Sequence, residues 1–125
     1  MGLILGREPV SRCPVFATLG ELTQGGFLAI RYVVTIQVDP GRGDDFVGAF
    51  KALKAIAQQE EGCEQCELFQ SLDDPEKVVL LERWASQDHV DKHMAAERSR
   101  NRSAVDALVA LWVPGTTPTI ERFEV

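Results

Sequence analysis

Within the stretch "LLERWASQDHVDKH" (residues 80–93), the chain places Glu82, Trp84 and both of its histidines, His89 and His93. An acid and an indole two apart share one face of a strand. Two imidazoles four apart share one face of a helix. Imidazole exchanges protons near neutral pH, a carboxylate takes or holds one, and an indole offers a broad apolar wall with a single donor. Together these types suit proton transfer beside an apolar pocket. Glu82 weighs most, because a carboxylate on an otherwise apolar face needs a partner. Structural readings stand beside this one. Trp84 serves equally as a large core residue, Glu82 as part of a buried structural network, and the histidines as surface residues.

Two other chemistries are weighed on spacing. His89, His93 and Glu97 could form a metal triad on one helix face, but no H-E-x-x-H context supports it, and no metal is expected. Cys63 and Cys66 form a C-x-x-C, yet "GCEQCELFQS" runs into a strand-like segment rather than a helix start. In an extended strand their Cα atoms would lie about 10 Å apart, beyond the roughly 7 Å a disulfide tolerates. Both are expected to be small buried hydrophobes. With three cysteines in all, an odd count, a disulfide framework is not expected, and a reducing cytoplasm is the simplest location.

The 125 residues suit one domain, and 45% hydrophobic with 26% charged is ordinary for a globular chain. A net charge of −6 argues against a surface that tracks phosphates. The basic cluster Arg98, Arg100 and Arg102 is flanked by Glu97 and Asp106, so no nucleic-acid partner is expected. No run reaches the roughly 20 apolar residues that span a bilayer, and no membrane partner is expected. "MGLILGREPVSRCP" makes a poor secretory signal, since Arg7 and Glu8 follow its short apolar patch.

The elements that must position these residues follow from periodicity. Residues 1–27 hold no sustained period and are expected to be an extension or arm, with residues 28–125 as the domain. Leu28, Ile30, Tyr32, Val34, Ile36 and Val38 alternate as a strand. A turn leads to a helix with Asp44 as a candidate N-cap and Phe46, Phe50 and Leu53 on its inner face, stopped by Gly62. "ELFQS" and "EKVVLLERW" read as a strand–turn–strand pair around "LDDP". Ser86 is a candidate N-cap for the helix bearing His89 and His93. A further helical pattern runs through Val105, Leu108, Val109 and Trp112, and "TIERFEV" closes as a short strand. The order βαββαβ predicts an α+β, ferredoxin-like fold with an antiparallel sheet. In "KVVLLERW", Val78, Leu80, Glu82 and Trp84 share one face, and Val79, Leu81 and Arg83 the other. Apolar residues on both faces predict a sheet covered on both sides, most simply by a second copy of the same chain.

The ordered set "EEGCEQCELFQS" (60–71), "DDPEKVVLLERWAS" (73–86) and "HVDKH" (89–93) resembles the antibiotic biosynthesis monooxygenase family, in its small quinol-monooxygenase-like branch. The elements are E-x-G-C, a D-P turn, and E-x-W followed by a helix with H-x-x-x-H. The resemblance implies a dimeric α/β barrel packed sheet to sheet, and oxygenation of a small phenolic, quinol or anthrone substrate by O₂ without metal or flavin. A deprotonated quinol itself passes an electron to O₂, so the protein need supply only a pocket, a base and hydrogen bonds. By motif match, Trp84 and His93 line the pocket, His89 and Glu82 orient substrate or relay a proton, and Phe69, Val90, Leu80 and Arg102 are candidate substrate contacts. Arg98 and Arg100 are rivals to Arg102 for an inward-facing cation. Val90 stands where some relatives carry a proton-donating Tyr. The haem-degrading branch is not matched, because Asn101 is the only Asn and no His follows His93.

The expected function is therefore a cofactor-independent monooxygenase. An isomerase or degradative enzyme for a small polar metabolite, and a non-catalytic dimeric binding module, are the rivals. Oxygen uptake separates the first from both.

Overall fold

Strand alternation sets up the whole architecture. In the structure, a computed structural model that describes residues 28–125, β1 (Ile30–Gln37) turns Ile30, Ile36 and the following Val38 into a buried layer. The expectation for residues 1–27 lies outside the described residues. α1 (Gly43–Ala57) follows, then β2 (Cys63–Gln70), β3 (Lys77–Trp84), α2 (Gln87–Glu97), α3 (Arg102–Val109) and β4 (Thr119–Glu124). The sheet order is β2-β3-β1-β4, and every neighbouring pair is antiparallel. This is the ferredoxin-like α+β arrangement that the βαββαβ order predicts.

All three helices pack on one face. Phe46, Phe50 and Ala57 of α1 and Leu108 of α3 meet Ile36, Val38, Cys66 and Val78 in the main core. A smaller cluster joins Val90 of α2 to Ile30 and Trp84. The cross-strand register fixes which residues share that face: Tyr32 opposes Glu82, Ile30 opposes Trp84, and Cys66 opposes Glu82 from the other side. The opposite face carries Val33, Val79, Leu81, Phe69 and Phe123, and among the described residues no helix covers it. β4 is an edge strand exposed along its length, with Ile120 at 60% and Phe123 at 47% exposure.

Local details depart from the sequence reading in four places. α1 starts one residue before Asp44. Arg42 is its N-cap without a side-chain cap bond, and Arg42 instead holds Asp45 at 2.7 Å. α1 ends at Ala57, and Gly62 lies beyond it at φ +88°, at the entry to β2. α3 ends at Val109, so Trp112 falls past the helix and bridges Val38 across the chain. Finally, β2 contains a bulge between Cys63 and Gln65. Cys63 opposes Trp84 and Gln65 opposes Arg83, leaving Glu64 as the extra residue.

Candidate active site

The end of β3 delivers Trp84 and Glu82 to the helix side. Trp84 is fully buried, and its indole Nε1–H donates to Glu82 Oε1 at 2.8 Å. Ser86 then caps α2 as its sequence position predicts, its hydroxyl accepting from the backbone N–H of His89. With the helix start fixed there, the second turn of α2 lays His93 over Trp84, with ring centroids 4.5 Å apart and planes tilted by 32°. Val90, one turn back, packs into the same buried cluster as the indole.

His93 is held by carboxylates at both ring nitrogens. Nδ1 lies 2.6 Å from Glu60 Oε1, and Nε2 lies 3.2 Å from Glu97 Oε2. Burial alone would lower its pKa, but the hydrogen bond and charge of Glu97, with Glu60 and Glu82 behind them, raise it to about 9. His93 is thus an imidazolium at neutral pH, donating from both nitrogens. Burial pushes the Glu82 carboxyl upward, only partly offset by the Trp84 hydrogen bond and the positive charge of His93. Desolvation likewise raises Cys63 to about 11 and Cys66 to about 12, and both are free thiols. They are poor nucleophiles in this setting.

Beside His93 opens a groove of about 620 Å³ between the C-terminal end of α1 and α2. Its lining includes Ile56, Glu60, His89, Lys92, His93 and Arg100. That volume falls in the range of small-molecule sites. His89 Nδ1 is 2.8 Å from Ser86 Oγ, and its Nε2 is 4.0 Å from Glu61. Gly62 lies directly under the His89 ring, where any Cβ would collide with it. Gly62→Ala therefore combines that collision with a left-handed backbone worth about 1–2 kcal/mol. A melting temperature several degrees below wild type is expected in thermal unfolding, partly recovered in the Gly62→Ala, His89→Ala double variant.

The structure sorts the sequence candidates. Glu82, Trp84, His93 and Val90 come together, and His89 lines the adjoining groove. Leu80 shares their sheet face but packs partly buried into the main core. Phe69 opposes Val79 on the far face of the sheet, because strand period two separates it from Cys66 and Leu68. It cannot meet Trp84. Arg102 starts α3, is mostly exposed and pairs with Asp106 at 3.7 Å; of the three candidate arginines, Arg100 lines the groove. Glu60 is a site residue that the sequence reading does not single out. The E-x-G-C element marks its position, but only the fold brings it to a histidine 33 residues away. Among the described residues no group of His, Cys, Asp and Glu has the arrangement of a metal site, and none of the helices is long and apolar enough to cross a membrane.

A ferredoxin-like sheet with an acid–indole–imidazole stack at the end of its third strand defines an α+β domain with its polar centre between sheet and helices. A model of the antibiotic biosynthesis monooxygenase family matches residues 29–102, and the chain belongs to that family. No curated protein matches it. Among solved structures, a conserved protein from Methanosarcina mazei Go1 is 26% identical, with TM-score 0.69 over 79% of this chain and 94% of that one. A Caulobacter crescentus CB15 protein reaches TM-score 0.70 at 23% identity, covering 85% and 97%. SnoaB, a cofactor-independent oxygenase from Streptomyces nogalater, gives TM-score 0.68 at 20% identity, covering 78% and 92%. The last two share the fold with this chain.

Proposed function

We propose that the protein is a cofactor-independent monooxygenase that oxidises a small aromatic quinol or anthrone-like compound with O₂. The observation that carries this reading is the imidazole of His93, stacked on Trp84 and held between two carboxylates beside the groove, in a chain of this family. His93 already carries its proton and gives both ring N–H groups to Glu60 and Glu97, so its part is to position those carboxylates and the groove wall while the substrate ionises. His89, at the groove wall, is then the imidazole placed to take the substrate's proton, with Ser86 orienting its ring. Trp84 backs the His93 ring, and Glu82 holds the indole in turn.

The electrons come from the substrate. The quinol loses a proton, its anion gives one electron to O₂, and the resulting radical pair joins to form a C–O bond. The hydroperoxide then loses water. One oxygen atom stays on the ring and the other leaves as water, so no outside reductant enters.

SnoaB's description as a cofactor-independent oxygenase supports this reading. The apolar residues Val33, Phe69, Val79 and Leu81 on the far face of the sheet, set among charged neighbours such as Arg31, Glu67 and Arg83, support a homodimer packed sheet to sheet. The non-catalytic rival draws on Val90, which is buried against Trp84 and offers no proton.

Oxygen uptake with a panel of quinols and anthrones, in the presence of a metal chelator, tests the proposal. Uptake above autoxidation is expected, falling about 10²-fold in His93→Gln and in His89→Ala. No uptake above autoxidation with any member of the panel would overturn it. Sedimentation as a monomer would remove the dimer.

A further inference from the structure

The groove also carries information about the charge of what it holds. In a chain of net charge −6, two cations from different segments, Lys92 on α2 and Arg100 in the loop after it, converge on one concave site. Among the described residues Lys92 forms no ion pair. Arg100 has only Glu60, at 4.0 Å and the outer limit of one, while its side chain is 71% exposed. Ala55 and Ile56 give the same groove an apolar wall. Glu61 also lines it, but that carboxylate is strongly exposed and lies toward His89.

Glu60 supplies the third requirement. One of its oxygens takes the His93 bond; the other, Oε2, is buried without any hydrogen-bond partner. Burying a carboxylate oxygen unpaired is costly, and the nearest cation, Arg100, stands too far off to bond it. That oxygen has almost no surface of its own, so a ligand's hydroxyl donor reaches it only once Arg100 has moved aside. A ligand with an acidic group would draw Arg100 away from Glu60 and engage Lys92.

We infer that the groove between α1 and α2 binds a small aromatic acid that carries a phenolic hydroxyl. Its carboxylate lies between Lys92 and Arg100, its ring lies on Ile56, and its hydroxyl donates to Glu60 Oε2. As a statement about substrate this deepens the proposed oxidation and rests on it. As a statement about binding it stands apart.

Calorimetric titration of the full chain with 3- and 4-hydroxybenzoate, benzoate and phenol tests the binding. At least one hydroxybenzoate is expected to bind at least about tenfold more tightly than either benzoate or phenol, because each lacks one charge-assisted bond. Arg100→Gln and Lys92→Gln are each expected to weaken it by about tenfold without changing the melting temperature. Added salt should weaken it as well. Equal affinity for phenol and both hydroxybenzoates, affinity unchanged in both variants, or no binding at millimolar concentration would overturn the inference. The two readings fail separately. Hydroxybenzoate binding without oxygen uptake from any quinol leaves the groove and removes the oxidation. Uptake from carboxylated quinols that is indifferent to Lys92 and Arg100 removes the groove's role.

Discussion

Wild-type protein is expected to lose roughly 3 kcal/mol of stability between about pH 6.5 and pH 9, and His93→Gln is expected to lose none of that increment. The sign follows from linkage. His93 is raised from 6.5 to about 9 by Glu97 and Glu60, which outweigh its burial. The folded chain therefore keeps a proton that the unfolded chain releases, and each tenfold gain in proton affinity on folding corresponds to about 1.4 kcal/mol. This contribution is fully present below the unfolded value and disappears as pH rises through about 9. His93 is nearly buried, so solvent screens the effect little. Glutamine retains one donor for a carboxylate but does not titrate, so at pH 6 the variant should be the less stable, with the gap narrowing as pH rises. Urea midpoints at pH 6, 7.5 and 9 read this directly. Parallel profiles for the two proteins would show that the carboxylates do not hold His93 as the geometry implies.

Glu82 and Trp84 give the second large effect, with the opposite outcome for the conservative change. The Glu82 carboxyl is raised by burial, so the folded state resists ionisation that the unfolded state undergoes freely. No cost exists below about pH 4.5; it grows as pH rises toward the folded value. Glu82→Gln still offers an oxygen to the Trp84 indole N–H while removing the buried charge. It is expected to match wild type near pH 4 and exceed it by about 1–2 kcal/mol at pH 8. Trp84→Ala empties a fully buried site and strips His93 of its stacking partner. A loss of about 3–5 kcal/mol is expected. Thermal melts across pH check both. Activity adds a separate readout, because a Glu82→Gln protein that is more stable yet slower would place the carboxylate in the chemistry rather than in the scaffold.

Much of this was legible in the residues. The alternation of β3 separated its two faces, so Glu82 and Trp84 on one side and Leu81 on the other followed from period two, while the family resemblance turned the first side toward the helices. Ser86 as a cap set the phase of α2 and hence His93. What sequence could not supply were the partners brought in from afar. Glu60 meets His93 only because α1 returns the chain to the same end of the sheet as α2, and no local pattern encodes that meeting. The same meeting turns a histidine that looked suited to proton exchange near neutrality into a fixed cation. Arg100 rather than Arg102 reaches the groove because α3 begins at Arg102 and directs that side chain to Asp106. The facing of Phe69 depends on a ladder register that its own neighbours leave ambiguous.

The bulge at Glu64 changes how the cysteine spacing should be understood. In a regular strand, residues three apart point to opposite faces, and Cys63 and Cys66 would be separated by the sheet itself. The additional residue restores parity, so both sulfurs reach the helix side, one opposite Trp84 and the other opposite Glu82. A related chain without the bulge would keep the same two side chains in the same places with the pattern C-x-C. Here a spacing that a motif search equates with redox chemistry is a record of strand length, and an alignment that scores it as a motif would divide sequences whose cores are alike.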